Sequence, residues 1–474
     1  MKRLGGWDAL LLYSETPNVH MHTLKVAVFD ASDCAGEFNY DLFRRTIHDR
    51  LPLLEPLRYK LVDIPFKLHH PMWQENAQID LDYHIRRRRV AAPGSRRELD
   101  QAIGEIASTP LDRSRPLWEL HFIEGMARHR FAVVGKIHHA LGDGLASANL
   151  LARALDPRDG SRPEVISSPA DPPLSKGQLL RAAARDHLHQ VKRLPAVLKY
   201  TATGIRQIRR KPQSADAPVE KLARNLHPPP TFLNHVLSPE RTFATTTVAL
   251  ADVKLTSKEL GVTLNDLILA MAAGGLRELL LRYDGHADEP IIASVAVGLD
   301  TSPDRISGNR LSAMTVSLPV QVTDPLEWVR LAHLGSKVAK ESHRRLGPEL
   351  MSLWSNYLPP ALAELAFRRI STRDVQNTLF NLPVSNVPGP RERGCLANVP
   401  LSEFYSVGPS VAGSAVNITV WSYVDQVNIS VIADRQTFAD PHEVTDAMVD
   451  ALARIRGAAG LTSELTSVDT AMPR

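Results

Sequence analysis

The chain has 474 residues, is 43% hydrophobic, and sets 56 Lys and Arg against 52 Asp and Glu for a formal charge of +4. That length exceeds what one hydrophobic core usually supports, so two domains are expected, and so slight a net charge does not argue for nucleic acid as a partner. The two cysteines, Cys34 and Cys395, lie far apart without metal-ligand spacing, which fits free thiols in a reducing compartment and argues against a structural zinc.

Asp8 interrupts the short apolar run 7–13, which argues against a secretion signal, and no uncharged apolar stretch reaches the roughly 18 residues that cross a bilayer. A cytoplasmic or peripheral protein is expected. Residues 24–29 alternate as a strand and 40–51 follow at helical spacing. Residues 116–124 and 131–137 read as two antiparallel strands, separated by Gly125 and the polar 128–130, with Trp118 packing into the core rather than touching substrate.

The stretch 131–155, FAVVGKIHHALGDGLASANLLARAL, joins an apolar strand, two histidines, an aspartate between glycines, and a run at helical spacing. Gly142 and Gly144 break the chain before that helix, so His138 and His139 stand at a strand's end. Neighbours on a strand point to opposite faces, so one imidazole addresses a pocket while the other supports it. An imidazole suits proton abstraction from a hydroxyl near neutral pH, and Asp143 would orient or brace.

Residues 156–173 are rich in Pro, Ser, Asp and Arg and read as a linker. From 176 to 211 ten Lys or Arg face the single acid Asp186, with leucines, valine and isoleucines interspersed, the pattern of a basic amphipathic helix pair broken at Pro195. Two readings fit: a solvated crossover, or docking on an anionic membrane, where each basic side chain contributes about 1 kcal/mol. After Pro228, Pro229 and Pro230 a second α/β pattern begins. Residues 242–250, 291–297 and 311–319 read as strands, 264–281, 326–345, 349–369 and 441–456 as helices, and 415–432 as two strands about Asp425. The remainder reads as a frayed tail.

Three familiar chemistries are absent from the letters: there is no G-x-S-x-G elbow, no G-x-G-x-x-G and no G-x-x-x-x-G-K-[ST]. A metal held by His138, His139 and Asp143 would need both imidazoles on one side, against the strand geometry, so no metal is expected.

The string His138-His139-Ala-Leu-Gly-Asp143-Gly144 resembles the HHxxxDG motif of acyltransferases and condensation enzymes built like chloramphenicol acetyltransferase. More narrowly, the chain resembles bacterial wax ester synthase/diacylglycerol acyltransferases. The likeness also rests, in chain order, on Met21-His22, Pro116-Leu117-Trp118-Glu119, Asn265-Asp266, Gly308-Asn309 and the run Ser385-Asn386-Val387-Pro388-Gly389-Pro390. His20 stands where many relatives have proline, and no arginine directly follows the strand ending in Val297-Gly298-Leu299-Asp300, as it does in many of them.

The resemblance implies an α/β protein of two chloramphenicol-acetyltransferase-like domains, mixed sheets flanked by helices, meeting at a tunnel. The corresponding division is 1–160 for the domain with the motif, 161–230 for a basic helical crossover, 231–460 for the second domain and 461–474 for a flexible tail. By similarity, His139 is the general base, His138 its support and Asp143 a structural brace paired with an arginine. Gly144 lets the acceptor come close to the backbone. Asn265 either polarises the thioester or orders the first turn of its helix, with capping preferred, and Asp266 accompanies it. Ser385 and Asn386 form part of a loop at the domain junction. The implied reaction moves a long-chain acyl group from acyl-CoA, a co-substrate rather than a cofactor, to diacylglycerol. The alternatives are a fatty alcohol as acceptor, a non-catalytic lipid-binding paralogue, and a condensation-type enzyme using carrier-bound acyl groups. The implied setting is the cytoplasm, with an anionic inner-membrane or lipid-droplet surface as a partner and no nucleic acid.

Overall fold

A computed structural model describes residues 1–32, 38–156, 172, 174–209, 221–224, 227–373, 379–466 and 468. Cys34, most of the stretch read as a linker at 156–173, and most of the tail from 467 onward lie outside the described residues.

In chain order the first half contains β1 (Lys2–Arg3), α1 (Gly6–Ser14), β2 (His22–Asp30), α2 (Tyr40–Arg50), β3 (Lys60–Val62), β4 (Met72–Gln74), α3 (Leu81–His84), β5 (Ile85–Arg89), α4 (Arg96–Ala107), β6 (Trp118–Glu124), β7 (Arg130–His138) and α5 (Gly144–Ala154). After α6 (Lys176–Arg209) come β8 (Arg241–Ala249), α7 (Leu250–Glu259), α8 (Leu264–Tyr283), β9 (Ile291–Gly298), β10 (Leu311–Leu318), α9 (Pro325–Leu346), α10 (Leu350–Ser355) and α11 (Pro360–Thr372). The chain closes with β11 (Leu382–Pro388), β12 (Cys395–Leu396), β13 (Val399–Val407), β14 (Val416–Tyr423), β15 (Gln426–Asp434) and α12 (His442–Ala458).

Two six-stranded mixed sheets form the frame, ordered β12-β13-β2-β7-β6-β5 and β10-β9-β11-β14-β15-β8. The β6–β7 hairpin expected from the sequence is present, antiparallel from Trp118 opposite Ile137 to Ile123 opposite Ala132. β13, although it follows β11 in the chain, pairs with β2 and so extends the sheet of the first half. The first sheet therefore holds strands from both sides of α6, through β12 and β13, whereas all six strands of the second follow α6. β15 is buried along its whole length because β14 and β8 flank it in the sheet while a helical layer and the first sheet cover its faces.

A buried polar cluster locks the two sheets together. Arg96, the first residue of α4 and within its Ser95–Glu98 capping box, donates to Glu403 of β13 (2.8 Å), Tyr405 (2.6 Å) and Thr245 of β8 (3.1 Å). Asp100, one turn on, accepts from the Thr245 amide at 2.8 Å and meets His442 of α12 at 3.0 Å. Every member thus has a charged or hydroxyl partner, which is what makes burial of so many polar groups tolerable.

Three local expectations are corrected. Residues 176–209 form one helix with Pro195 inside it, not a broken pair. Pro195 faces solvent, and the carbonyl it strands, that of the exposed Val191, can be hydrated, while Leu179, Ala183 and Val197 hold the buried face. Residues 349–369 split into α10 and α11 because Pro359 and Pro360 cannot continue the first helix. The stretch from Ser385, read as a loop, is strand β11 as far as Pro388. β11 pairs with β9 only at Leu382 and Pro383 and with β14 only from Val384 on, so its prolines occupy positions where a ladder donor is dispensable.

Candidate active site

β7 delivers the histidines. His138, still in register opposite His22 of β2, is buried, and its ring is fixed at both nitrogens. Nδ1 accepts from the Ala140 amide at 3.0 Å, so the ring proton sits on Nε2 and is donated to Glu15 Oε2 at 2.7 Å. Glu15 itself is held below the usual carboxylate range; its burial opposes this, but the bonds from His138 and Arg113 outweigh it. His138 has no nitrogen left for chemistry.

His139 follows in a single 3₁₀ turn, with its amide tied to Met21 O at 2.8 Å. Its Nδ1 is buried toward the residue's own carbonyl, without a partner in full hydrogen-bond geometry, whereas Nε2 makes no hydrogen bond among the described residues and the residue as a whole is half-buried. Burial holds the ring's pKa down at about 4, with Lys25 and His138 pushing the same way and Asp143 opposing. The imidazole is therefore neutral near pH 7, and Nε2 is the nitrogen positioned to take a proton.

The His139 carbonyl accepts from Asn309 Nδ2 at 2.8 Å, and the same amide group donates to Asp8 Oδ1 at 2.7 Å. Asp8, on α1, is pushed up to about 6 by burial, against the bonds it accepts from Asn309. Gly308 N donates to Leu141 O at 2.7 Å, so the loop before β10 clamps the turn that carries His139.

Asp143 turns its carboxylate away from His139. Oδ1 accepts from the Ala146 amide at 3.0 Å, capping α5, and from Arg305 Nη2 at 2.9 Å; Oδ2 accepts from the Arg310 amide at 2.9 Å. The arginine expected to pair with Asp143 is thus Arg305. Sequence reasoning missed Arg305 because nothing in the irregular loop 299–310 marks which basic side chain folds back.

Gly144 opens α5, and a Cβ there would stand 3.1 Å from Val387 Cγ2. The space beside Gly144 is filled by β11 of the second sheet, not left for a substrate to approach the backbone. Asn265 does not cap α8: the cap is Thr263, in a reciprocal box with Asp266, which also binds His333 Nδ1 at 2.9 Å. The Asn265 amide makes no hydrogen bond among the described residues. Ser385 and Asn386 lie on β11 beside Val387, and no hydrogen bond among the described residues joins them, Asn265 or Asp266 to the histidines. Trp118 is fully buried and donates to Leu57 O at 2.6 Å, as a core residue would. Among the described residues no three His, Cys, Asp or Glu side chains converge as a metal site.

Two family models cover the chain: the wax ester synthase/diacylglycerol acyltransferase catalytic domain matches residues 4–268, and the C-terminal domain of the same family matches 307–456. The chain belongs to this family. A Mycobacterium tuberculosis protein described as a candidate diacylglycerol O-acyltransferase is 58% identical over 472 residues, covering 100% of this chain and 99% of its own length. A second protein of that species and description is 33% identical over 437 residues, covering 92% of each. The wax ester synthase/diacylglycerol acyltransferase from Marinobacter aquaeolei VT8 superposes with a TM-score of 0.68 at 25% identity, covering 97% of this chain and 100% of that one. The starter condensation domain of rhizomide synthetase shares the fold, with a TM-score of 0.53 at 14% identity over 98% of both chains. As a family member the chain is an acyltransferase of neutral-lipid synthesis, with the two-part architecture expected of the chloramphenicol-acetyltransferase type.

Proposed function

We propose that this protein transfers a long-chain acyl group from acyl-CoA to the free hydroxyl of diacylglycerol, making triacylglycerol. The observation that carries the reading is the environment of His139: a neutral imidazole whose Nδ1 is buried and whose Nε2 makes no hydrogen bond among the described residues, on a turn held by Asn309, Met21 and Gly308. Nε2 takes the acceptor's hydroxyl proton as its oxygen attacks the thioester carbonyl. Collapse of the tetrahedral intermediate breaks the C–S bond, and the proton passes from His139 to the departing thiolate. No acyl-enzyme forms. His138 orients the turn through Glu15, and Asp143 braces it through Arg305. Asn265, Asp266, Ser385 and Asn386 belong to the second sheet's wall of the site. The reaction needs no cofactor or metal.

The lipid acceptor implies a membrane or droplet surface, and one face of the protein suits it. Phe66 is 86% exposed, and Leu68, Leu188, Val191, Leu198, Met351 and Leu362 are also at least half exposed. Their elements are tied together by His187 to Leu68 O (2.8 Å), by Trp354 to Thr201 (3.0 Å) and by the ion pair of Lys67 with Glu364 of α11. Exposed Arg185, Lys192, Arg193 and Lys199 on α6 border this apolar face, the combination that binds anionic lipid. No single helix among the described residues is long and apolar enough to cross a membrane.

The test is purified protein with labelled oleoyl-CoA and either dioleoylglycerol or hexadecanol. Triacylglycerol as the main product supports the reading, wax ester as the main product reassigns the acceptor, and neither product removes acyl transfer.

A further inference from the structure

Lys25 is a charged residue in a place that structural needs do not explain. It lies mid-strand in β2, opposite Gly135 of β7 and Ser406 of β13, on the sheet face that also carries Ile137 and leads to His139. Around it that face is apolar, with Ala27, Phe29, Phe131, Phe404 and Trp421 packed in one cluster. Nζ donates to Ser406 Oγ at 2.6 Å and stands 5.8 Å from the Trp421 ring centre, yet no carboxylate among the described residues comes within ion-pair distance. An ammonium set on an apolar face with no anion to compensate it is costly, and an anionic ligand group would relieve that cost. Lys25 is partly accessible, as is His139, and the two are close enough that the Lys25 charge disfavours protonation of His139. Asp143 acts on Lys25 in the opposite sense but is already engaged by Arg305.

We infer that Lys25 Nζ, steadied by Ser406, is the cationic partner of the thioester oxygen at the catalytic centre. This rests on the acyl-transfer reading above. As the acceptor oxygen bonds to the carbonyl carbon and its proton goes to His139, the C=O π pair moves onto oxygen, and that oxyanion meets the ammonium. When the C–S bond breaks, the pair returns to the carbonyl and the charge leaves on the thiolate, which His139 protonates. An aimed cation in a water-poor site is worth more here than in the ground state, where the carbonyl bears no full charge.

The experiment compares wild type, Lys25→Met and Lys25→Arg in two arms: esterification of dioleoylglycerol or hexadecanol by oleoyl-CoA, and calorimetric binding of hexadecylphosphonate, a tetrahedral anion on an alkyl chain. Lys25→Met is expected to lower kcat about 10²- to 10³-fold with the KM for oleoyl-CoA within about threefold, and to weaken phosphonate binding at least about tenfold. Burial holds Lys25 at about 8, so wild-type kcat should fall above that pH while Lys25→Arg, permanently charged, loses that limb. The inference is overturned if Lys25→Met keeps wild-type kcat and phosphonate affinity, or, should that variant not fold, if Lys25→Arg retains the same alkaline limb. If wild type forms no ester while phosphonate binding still depends on Lys25, it is the acyl-transfer reading that fails and the anion site that stands.

Discussion

Arg305 donates through Nη2 to Asp143 Oδ1 across 2.9 Å, joining residues 162 positions apart in the chain. Both side chains are largely buried, and the arginine also reaches the carbonyls of Gly308 and Asp300. The bond ties the aspartate of the motif to the loop that carries Asn309, and Asn309 in turn holds the His139 carbonyl.

Removing one partner of a buried ion pair is costly chiefly because the other charge remains unpaired. Arg305→Ala should destabilise the fold by about 3 kcal/mol, the lower end of that range because the Ala146 and Arg310 amides still serve Asp143. Urea unfolding followed by circular dichroism measures this. A loss under about 0.5 kcal/mol, the size of an ordinary surface change, contradicts the bracing role.

Gly144 and Val387 meet across the junction of the sheets. A Cβ at 144 needs Val387 to yield by only a few tenths of an ångström, and alanine favours the helix, so Gly144→Ala should be nearly neutral. Gly144→Val has no such room and should cost about 1–3 kcal/mol. Val387→Ala should recover part of that loss in a double-mutant cycle, with a coupling of at least about 0.5 kcal/mol; strict additivity would mean the two do not touch.

His139 sets the acid side of the pH response. With its folded pKa at about 4, the free enzyme keeps its base unprotonated well below pH 6, so kcat/KM should hold through pH 6 and fall only toward pH 4 to 5. A limb near 6.5 would mean an ordinary solvated imidazole. The same depression makes the folded state refuse a proton that the unfolded chain accepts. This residue costs no stability above about pH 6.5, and its penalty grows as pH falls from there to about 4. His139→Gln should flatten that part of the stability profile.

Liposome flotation tests the proposed docking face. Binding should require anionic lipid and weaken as salt is raised; Lys192→Glu with Lys199→Glu should reduce it without altering turnover of short-chain, soluble substrates. Equal binding to neutral vesicles would leave the apolar side chains alone responsible.

Much of the fold was legible in the letters because period and punctuation agreed: β6, β7, β8, β14, β15 and α8 carry clean alternation or helical spacing between turn residues. Local pattern does not reveal sheet membership, so nothing in residues 399–407 shows that β13 crosses to the first sheet. Composition misled at Ser385-Asn386-Val387-Pro388, where a proline at a strand end paired on one side only, with Ser422 of β14, mimics a loop. In the site, the motif exposed His138, His139 and Asp143, but their partners come from elsewhere: Glu15 from the end of α1, Arg305 and Asn309 from one loop, Lys25 from mid-strand. Such contacts depend on the tertiary course of the chain, and no spacing rule records them.

At the centre of the proposed reaction, His139 Nε2 takes the acceptor's proton. The most direct test of this step is the rate of labelled ester formation from oleoyl-CoA by wild type and His139→Ala at equal concentration, with matched circular dichroism spectra. A fall of about 10²- to 10⁴-fold is expected for the variant. A folded His139→Ala protein that esterifies at the wild-type rate would contradict it.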